Sequence, residues 1–285
     1  MVNVRKIEGV LESKPTIEGA GVRLHRVFGY NEVPRLDPFL LLDDFSSDNP
    51  DEYLPGFPLH PHRGIETVTY MLHGEVKHGD SIGNSGIIEG GDVQWMTAGS
   101  GIIHSEMPQK GDGRLTGFQL WVNLPASQKM MPPRYQDVKG SEIPEIRLNN
   151  SVSIRVICGE LEGTKGPVGD IVVDPEYLNV TVPPLTEFRH SVKLGYKVLA
   201  YVYDGEGYFD MEKEKLYHSG QLVIFDNGEC VEINAGEKAV RFLLISGKPI
   251  EEPVAWYGPI VMNTEQQLRV AFEEYQNGTF IKPQK

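Results

Sequence analysis

A chain of 285 residues with a formal net charge of −13 is too long for one ordinary core and too acidic for non-specific attachment to nucleic acid, and no Lys/Arg run offers a local basic patch. Its two cysteines, Cys158 and Cys230, stand far apart without metal-type spacing, which excludes a disulfide framework and points to a reducing compartment, the cytoplasm. Met1 to Leu11 carries Arg5, Lys6 and Glu8 without an apolar core, and Pro38 to Leu42 is far too short for a bilayer, so neither a signal peptide nor a membrane span is expected.

Val2 to Val27 alternates loosely between glycines and reads as short strands with turns. Leu36 to Phe45 is an apolar run between acidic residues, one buried strand, and Ser46 to Pro58 is a loop rich in Pro and Asp. His60-Pro61-His62 follows. Residues i and i+2 of an extended segment share a face, so the two imidazoles aim at one point. Ile65 to Leu72 is a strand, His73-Gly74 and His78-Gly79 mark a turn and a bend, and Asp92 to Met96 is a further strand. Gly99-Ser100-Gly101 forces a tight turn, after which His104-Ser105-Glu106 repeats the i, i+2 arrangement on a second strand. One His-x-His pair is usually a surface feature. Two pairs at strand spacing, supplying three imidazoles and one carboxylate, make a transition-metal site the better reading.

Glu66 shares the parity of His60 and His62. Three roles stand open for it: a ligand in place of Glu106, an acceptor that orients an imidazole, or, with Pro61, Arg63 and Gly64 breaking the parity, the partner of a cation such as Arg63. His73 and His78 read as exposed or hydrogen-bonded turn residues, and Trp95, Trp121 and Trp256 as packing residues. Gly79-Asp80-Ser81-Ile82-Gly83 fits the G-x-S-x-G pattern, but Asn84, Ser85 and Gly86 open no helix behind the serine, so the segment is a turn.

Pro125 to Pro144 holds four prolines and few strand signals. It sets a domain at 1–132, a linker at 133–145 and a second domain at 146–285. The second half echoes the first: Gly91-Asp92-Val93-Gln94-Trp95-Met96 matches Gly220-Gln221-Leu222-Val223-Ile224-Phe225 in outline. The counterparts of His60, His62 and His104 fall near Ser191, Lys193 and Ile233, so a second barrel without a metal is expected. Thr264-Glu265-Gln266-Gln267 has the form of a capping box, Leu268, Phe272 and Tyr275 follow at helical spacing, and Asn277-Gly278 supplies a stop. The pattern is all-β, with two barrel or sandwich halves and a short C-terminal helix.

The segments His60 to Tyr70 and Gly91 to Pro108, supported by Leu36 to Leu41 and Gly258 to Thr264, closely resemble the pirin family of the cupin superfamily. The resemblance covers nearly the whole chain and implies two tandem cupin domains, β-barrels of jelly-roll type, with a metal in the first. By motif it implies His60, His62, His104 and Glu106 as ligands and Glu66 as a neighbour of the metal. It implies Fe(2+), with Mn, Ni, Cu and Zn as rivals, since divalent affinity alone does not select. Some pirins resemble quercetin 2,3-dioxygenases, which open a flavonol ring with O2 and release carbon monoxide; Glu106 is then the catalytic base. Others are non-enzymatic regulators that bind a protein partner. The expected partners are accordingly a flavonol-like aromatic substrate and O2, or a protein, with no direct nucleic acid, no membrane and a monomeric state.

Overall fold

The computed structural model describes residues 3–283; Met1 and Val2, and Gln284 and Lys285 at the end of the expected second domain, lie outside the described residues. Strands dominate. Helices are few, with the longer of the two α-helices at Glu265–Gln276, and no helix among the described residues is long and apolar enough to cross a membrane.

Contacts divide the chain into two units, and neither is continuous in sequence. One consists of Lys14–Ser141 together with the residues from Ile250 onward, the other of the residues up to Ser13 together with Glu142–Pro249. This differs from the contiguous segments 1–132 and 146–285, and the reason is long-range pairing. The strand Ile7–Glu12 lies antiparallel to Gln221–Phe225, with Leu11 opposite Leu222. The tail returns as the hairpin Ala255–Tyr257 and Ile260–Met262, which bridges at Ile260 to Arg63. A proline-rich stretch marks a connection, but composition carries no record of which distant strand a segment pairs with.

The unit that carries the histidine pairs holds a seven-stranded and a four-stranded sheet. The larger runs, strand beside strand, through Arg134–Val138, Val93–Thr97, Ile65–His73, Thr116–Asn123, Phe39–Asp44, Val22–Phe28 and Lys14–Glu18. The smaller runs through Phe57–His62, Ile102–Pro108, Glu75–Asp80 and Ser85–Glu89. Val22, Leu24, Phe45, Met71, Val76 and Ile88, from both sheets, form part of one buried cluster. Alternation does this: along Ile102–Pro108 every second residue is buried, so one face of the strand serves the interior. The run from Leu36 forms its strand at Phe39–Asp44, with Phe39 to Asp43 buried.

The other unit is built on a nine-stranded sheet whose central members are Gln221–Phe225, Lys197–Tyr208, Cys230–Gly247 and Glu176–Val182. Its apolar face includes Val180, Val198, Ala200, Val223, Phe242 and Leu244, all fully buried. Cys158 and Cys230 are both buried thiols, and His190 bonds to Glu176 at 2.8 Å.

The C-terminal helix has the cap its sequence announces. The Thr264 side chain accepts from the Gln267 N–H, and Gln267 reaches back to the Thr264 backbone. Leu268 and Ala271 are its buried residues.

Candidate metal centre

His60 and His104 are directly opposite each other on the antiparallel strands Phe57–His62 and Ile102–Pro108, and His62 is opposite Ile102. Direct pairing and i, i+2 spacing therefore put three imidazoles on one face. The register shifts between His104 and Glu106 because the extra residue lies on the Phe57–His62 strand; on its own strand Glu106 keeps the buried face of His104. After His62 the chain leaves the small sheet for the large one through Gly64, at φ +77°. A Cβ there would lie 2.0 Å from the Val261 carbonyl oxygen, so only glycine fits.

One ligand nitrogen from each of His60, His62 and His104 lies within 4.8 Å of the others. The His60 and His62 Nε2 atoms are 3.0 Å apart. His60 Nδ1–H donates to the Pro58 carbonyl at 2.8 Å and His62 Nδ1–H to the Pro259 carbonyl at 3.1 Å. With both protons on Nδ1, the two Nε2 lone pairs face each other. That arrangement is repulsive by itself and suits a shared cation. His104 is buried, and neither of its ring nitrogens has a hydrogen-bond partner among the described residues. Burial, then the neighbouring His60, holds His62 well below the ordinary histidine value. Burial, then His62, His60 and His78, does the same for His104. Neutral imidazoles are the form that binds a metal. The donor set thus fits a divalent transition ion, and an orphaned buried imidazole is explained by one.

Glu106 is buried with the histidines, its Oε2 4.0 Å from His104 Nε2. Its Oε1 is 2.8 Å from the Thr69 hydroxyl, which also lies 2.8 Å from the Gln119 side-chain oxygen. A hydroxyl carries one proton and serves one of these acceptors. With that proton on Glu106, the Gln119 amide satisfies Thr69 by turning its NH2 toward it.

Glu66 is elsewhere. It is fully buried, its Oε1 accepts from the Thr97 hydroxyl at 2.6 Å, and burial raises it above the ordinary carboxylate range. Thr69 faces Glu106, and Glu66, three residues earlier on the same strand, projects from the opposite face. The turn at Gly64 ended the parity it shared with His60 and His62.

Two assignments are corrected. His78 is not a bend residue: it lies within the strand Glu75–Asp80, buried and opposite Glu106, with the Tyr135 ring 6.0 Å away. The alternation of Val76 and His78 against Glu75 and Lys77 carried that signal. Trp121 is more than packing. Its ring meets His62 edge-on at 5.0 Å and Trp256 at 5.8 Å, and both tryptophans line the cavity in front of the histidines. His73 is the last residue of the strand Ile65–His73, partly exposed and bonded to Asp112.

That cavity has a volume of about 780 Å³. His60, His62 and Glu106 stand in its wall with apolar residues such as Leu24, Leu41 and Phe45. Arg63, next to His62, is buried and anchors the tail: Nε donates to the Ser100 carbonyl at 2.7 Å, Nη2 to the Phe280 carbonyl at 2.9 Å, and Nη1 pairs with Glu274 at 2.7 Å.

Histidines gathered from two neighbouring strands inside the cavity of a β-barrel define a cupin-type site able to hold a metal ion. Family models agree with this architecture: the pirin model matches residues 21–122 and the pirin C-terminal cupin domain matches residues 177–281. A pirin-like protein of Caulobacter vibrioides is 45% identical over 284 residues, covering 97% of this chain and 99% of its own. A crystal structure of quercetin 2,3-dioxygenase from Acinetobacter baumannii is 32% identical with a TM-score of 0.88, covering 97% of this chain and 98% of that one. The bacterial pirin YhhW of Escherichia coli, solved in complex with nickel(II), shares the fold at a TM-score of 0.64 and 21% identity, over 85% of this chain and 99% of its own. The chain belongs to the pirin family, with two cupin domains.

Proposed function

We propose that the protein is a metal-dependent dioxygenase that opens the ring of quercetin-type flavonols with O2 and releases carbon monoxide. The observation that carries this reading is the convergence of three imidazoles, two of them in the wall of a large cavity that aromatic side chains also line. Its relative in A. baumannii is a quercetin 2,3-dioxygenase. His60, His62 and His104 would hold the ion through nitrogen, with Glu106 as the fourth ligand. Fe(2+) is the ion proposed; Mn, Ni, Cu and Zn are its rivals, nickel(II) being the ion bound by the E. coli pirin. When bound, the ion supplies Lewis acidity that lowers the pKa of a flavonol hydroxyl and a redox-active centre for oxygen.

The chain's own residues do the remaining work. Trp121 and Trp256 offer aromatic faces against which a flat ring system packs. Thr69 holds Oε1 of Glu106, so Oε2 is the atom that accepts the proton of the flavonol 3-hydroxyl. The apolar wall limits water near the deprotonated ring.

A second reading is a regulator that binds a protein partner through an exposed face. Tyr30 and Tyr257 favour it: they are 67% and 69% exposed and border a groove against the C-terminal helix. Elemental analysis and oxygen uptake separate the two. The wild-type protein is expected to carry one metal per chain and to consume O2 with quercetin, and His60→Ala/His104→Ala to lose both. A double variant still loaded one-to-one would remove this site. Metal-loaded wild-type protein that consumes no more O2 than the variant would leave the regulator reading.

A further inference from the structure

Across the large sheet, one row of facing residues is polar where its neighbours are apolar. Arg26 is opposite Asp43, Asp43 is opposite Gln119, and Gln119 is opposite Thr69, on four successive strands. Arg26 Nε and Nη2 donate to the two Asp43 oxygens at 2.9 and 2.8 Å, and Arg26 Nη1 pairs with Glu18 at 2.9 Å. All four members of the row line the cavity, while Leu24, Leu41 and Trp121 lie two residues away along their strands. The row begins at Thr69, which touches Glu106. Asp43 stands two strand spacings beyond Thr69, roughly 10 Å from the metal end.

An ion pair that served only the fold would need no cavity in front of it. The Asp43 carboxylate has about four acceptor sites, of which Arg26 occupies two. Next to it, Gln119, whose side-chain oxygen lies 2.8 Å from the Thr69 hydroxyl, presents its amide to the cavity wall. The far end of the cavity therefore presents a carboxylate acceptor beside an amide, the carboxylate fixed by two guanidinium N–H groups while a third pairs with Glu18. A carboxylate acceptor calls for a donor. The aromatic wall between the two ends calls for a flat ring system.

We infer that the Asp43–Gln119 pair, braced by Arg26, is a second recognition pole that binds phenolic hydroxyls at the end of a planar aromatic ligand whose other end faces the histidines. This rests on the reading of the cavity as a flavonol site and adds the specificity: polyhydroxylated rings are selected over bare ones. A hydrogen bond to a charged carboxylate corresponds to about tenfold or more in affinity.

The test is binding without turnover. Metal-loaded protein under nitrogen is titrated with quercetin and with 3-hydroxyflavone, which keeps the chelating oxygens and lacks the hydroxyls on the outer rings; tryptophan fluorescence reads the occupancy. Wild-type protein is expected to bind quercetin about tenfold more tightly or better. Asp43→Asn is expected to remove most of that preference while leaving the affinity for 3-hydroxyflavone unchanged. Equal affinities in the wild-type protein would overturn the inference, with no variant needed, and so would an Asp43→Asn variant that weakens both ligands alike. Binding of neither ligand would overturn it together with the flavonol reading. Selective binding without oxygen uptake would leave the pole standing and remove the dioxygenase.

Discussion

His62 and His104 give the metal-free protein a pH dependence whose sign is fixed. Burial and neighbouring imidazoles hold both below the ordinary value of 6.5. Between their depressed values and 6.5 the unfolded chain binds protons that the folded chain does not, so stability rises with pH across that window and is lost as the pH falls below 6.5. In the presence of chelator the melting midpoint should therefore fall from pH 7 to pH 5, and His104→Gln should flatten the fall. Parallel slopes for the two proteins would refute the assignment. At this scale much of the site was legible. His60, His62, His104 and Glu106 sit at the i, i+2 spacing that strands translate directly into a shared face. Glu66 resisted, because its direction depends on the Gly64 turn between two sheets, and a turn that ends a parity is decided by φ and by the Val261 backbone packed against it.

Among the elements, the tail hairpin and helix are the ones whose position decides most. The helix was legible because a capping box and a helical period are local. Its docking was not, since the contacts are made with residues about two hundred positions earlier, such as Arg63 with Phe280. Lys129 ties these segments together. Its Nζ donates to the Gly64 carbonyl at 2.8 Å, the Asn123 side chain at 2.7 Å and the Val261 carbonyl at 3.1 Å, and burial lowers its pKa to about 7. Lys129→Met keeps the volume and leaves three buried acceptors without a donor. It should cost about 3 kcal/mol in denaturant unfolding. A loss below about 1 kcal/mol would mean that the acceptors find other partners.

For the molecule as a whole, the repeat of two all-β halves could be read from glycine spacing and strand patterns, and the two units correspond to it. Their exchange of segments could not, because the Ile7–Glu12 strand completes the sheet of one and the chain beyond Ile250 completes the other. A truncated chain of residues 1–132 therefore lacks the Pro259 carbonyl on His62, the Val261 backbone beside Arg63 and the tail contacts of the Arg63 guanidinium. It should bind Ni(2+) at least about tenfold more weakly than the full chain by calorimetry, as loss of ligand-orienting contacts does. Undiminished affinity would show that the tail is dispensable to the site.

The hydrogen bond from His62 to Pro259 spans 197 residues. A ribosome adding about 5–20 residues per second needs about 10–40 s to cover that distance. For most of that interval, once His104 has been added, the nascent chain carries three histidines without the carbonyl that fixes the tautomer of one of them. The finished pocket thus belongs to a chain extended at least through Pro259. Premature termination anywhere before Pro259 yields a product in which the His62 ring is unheld.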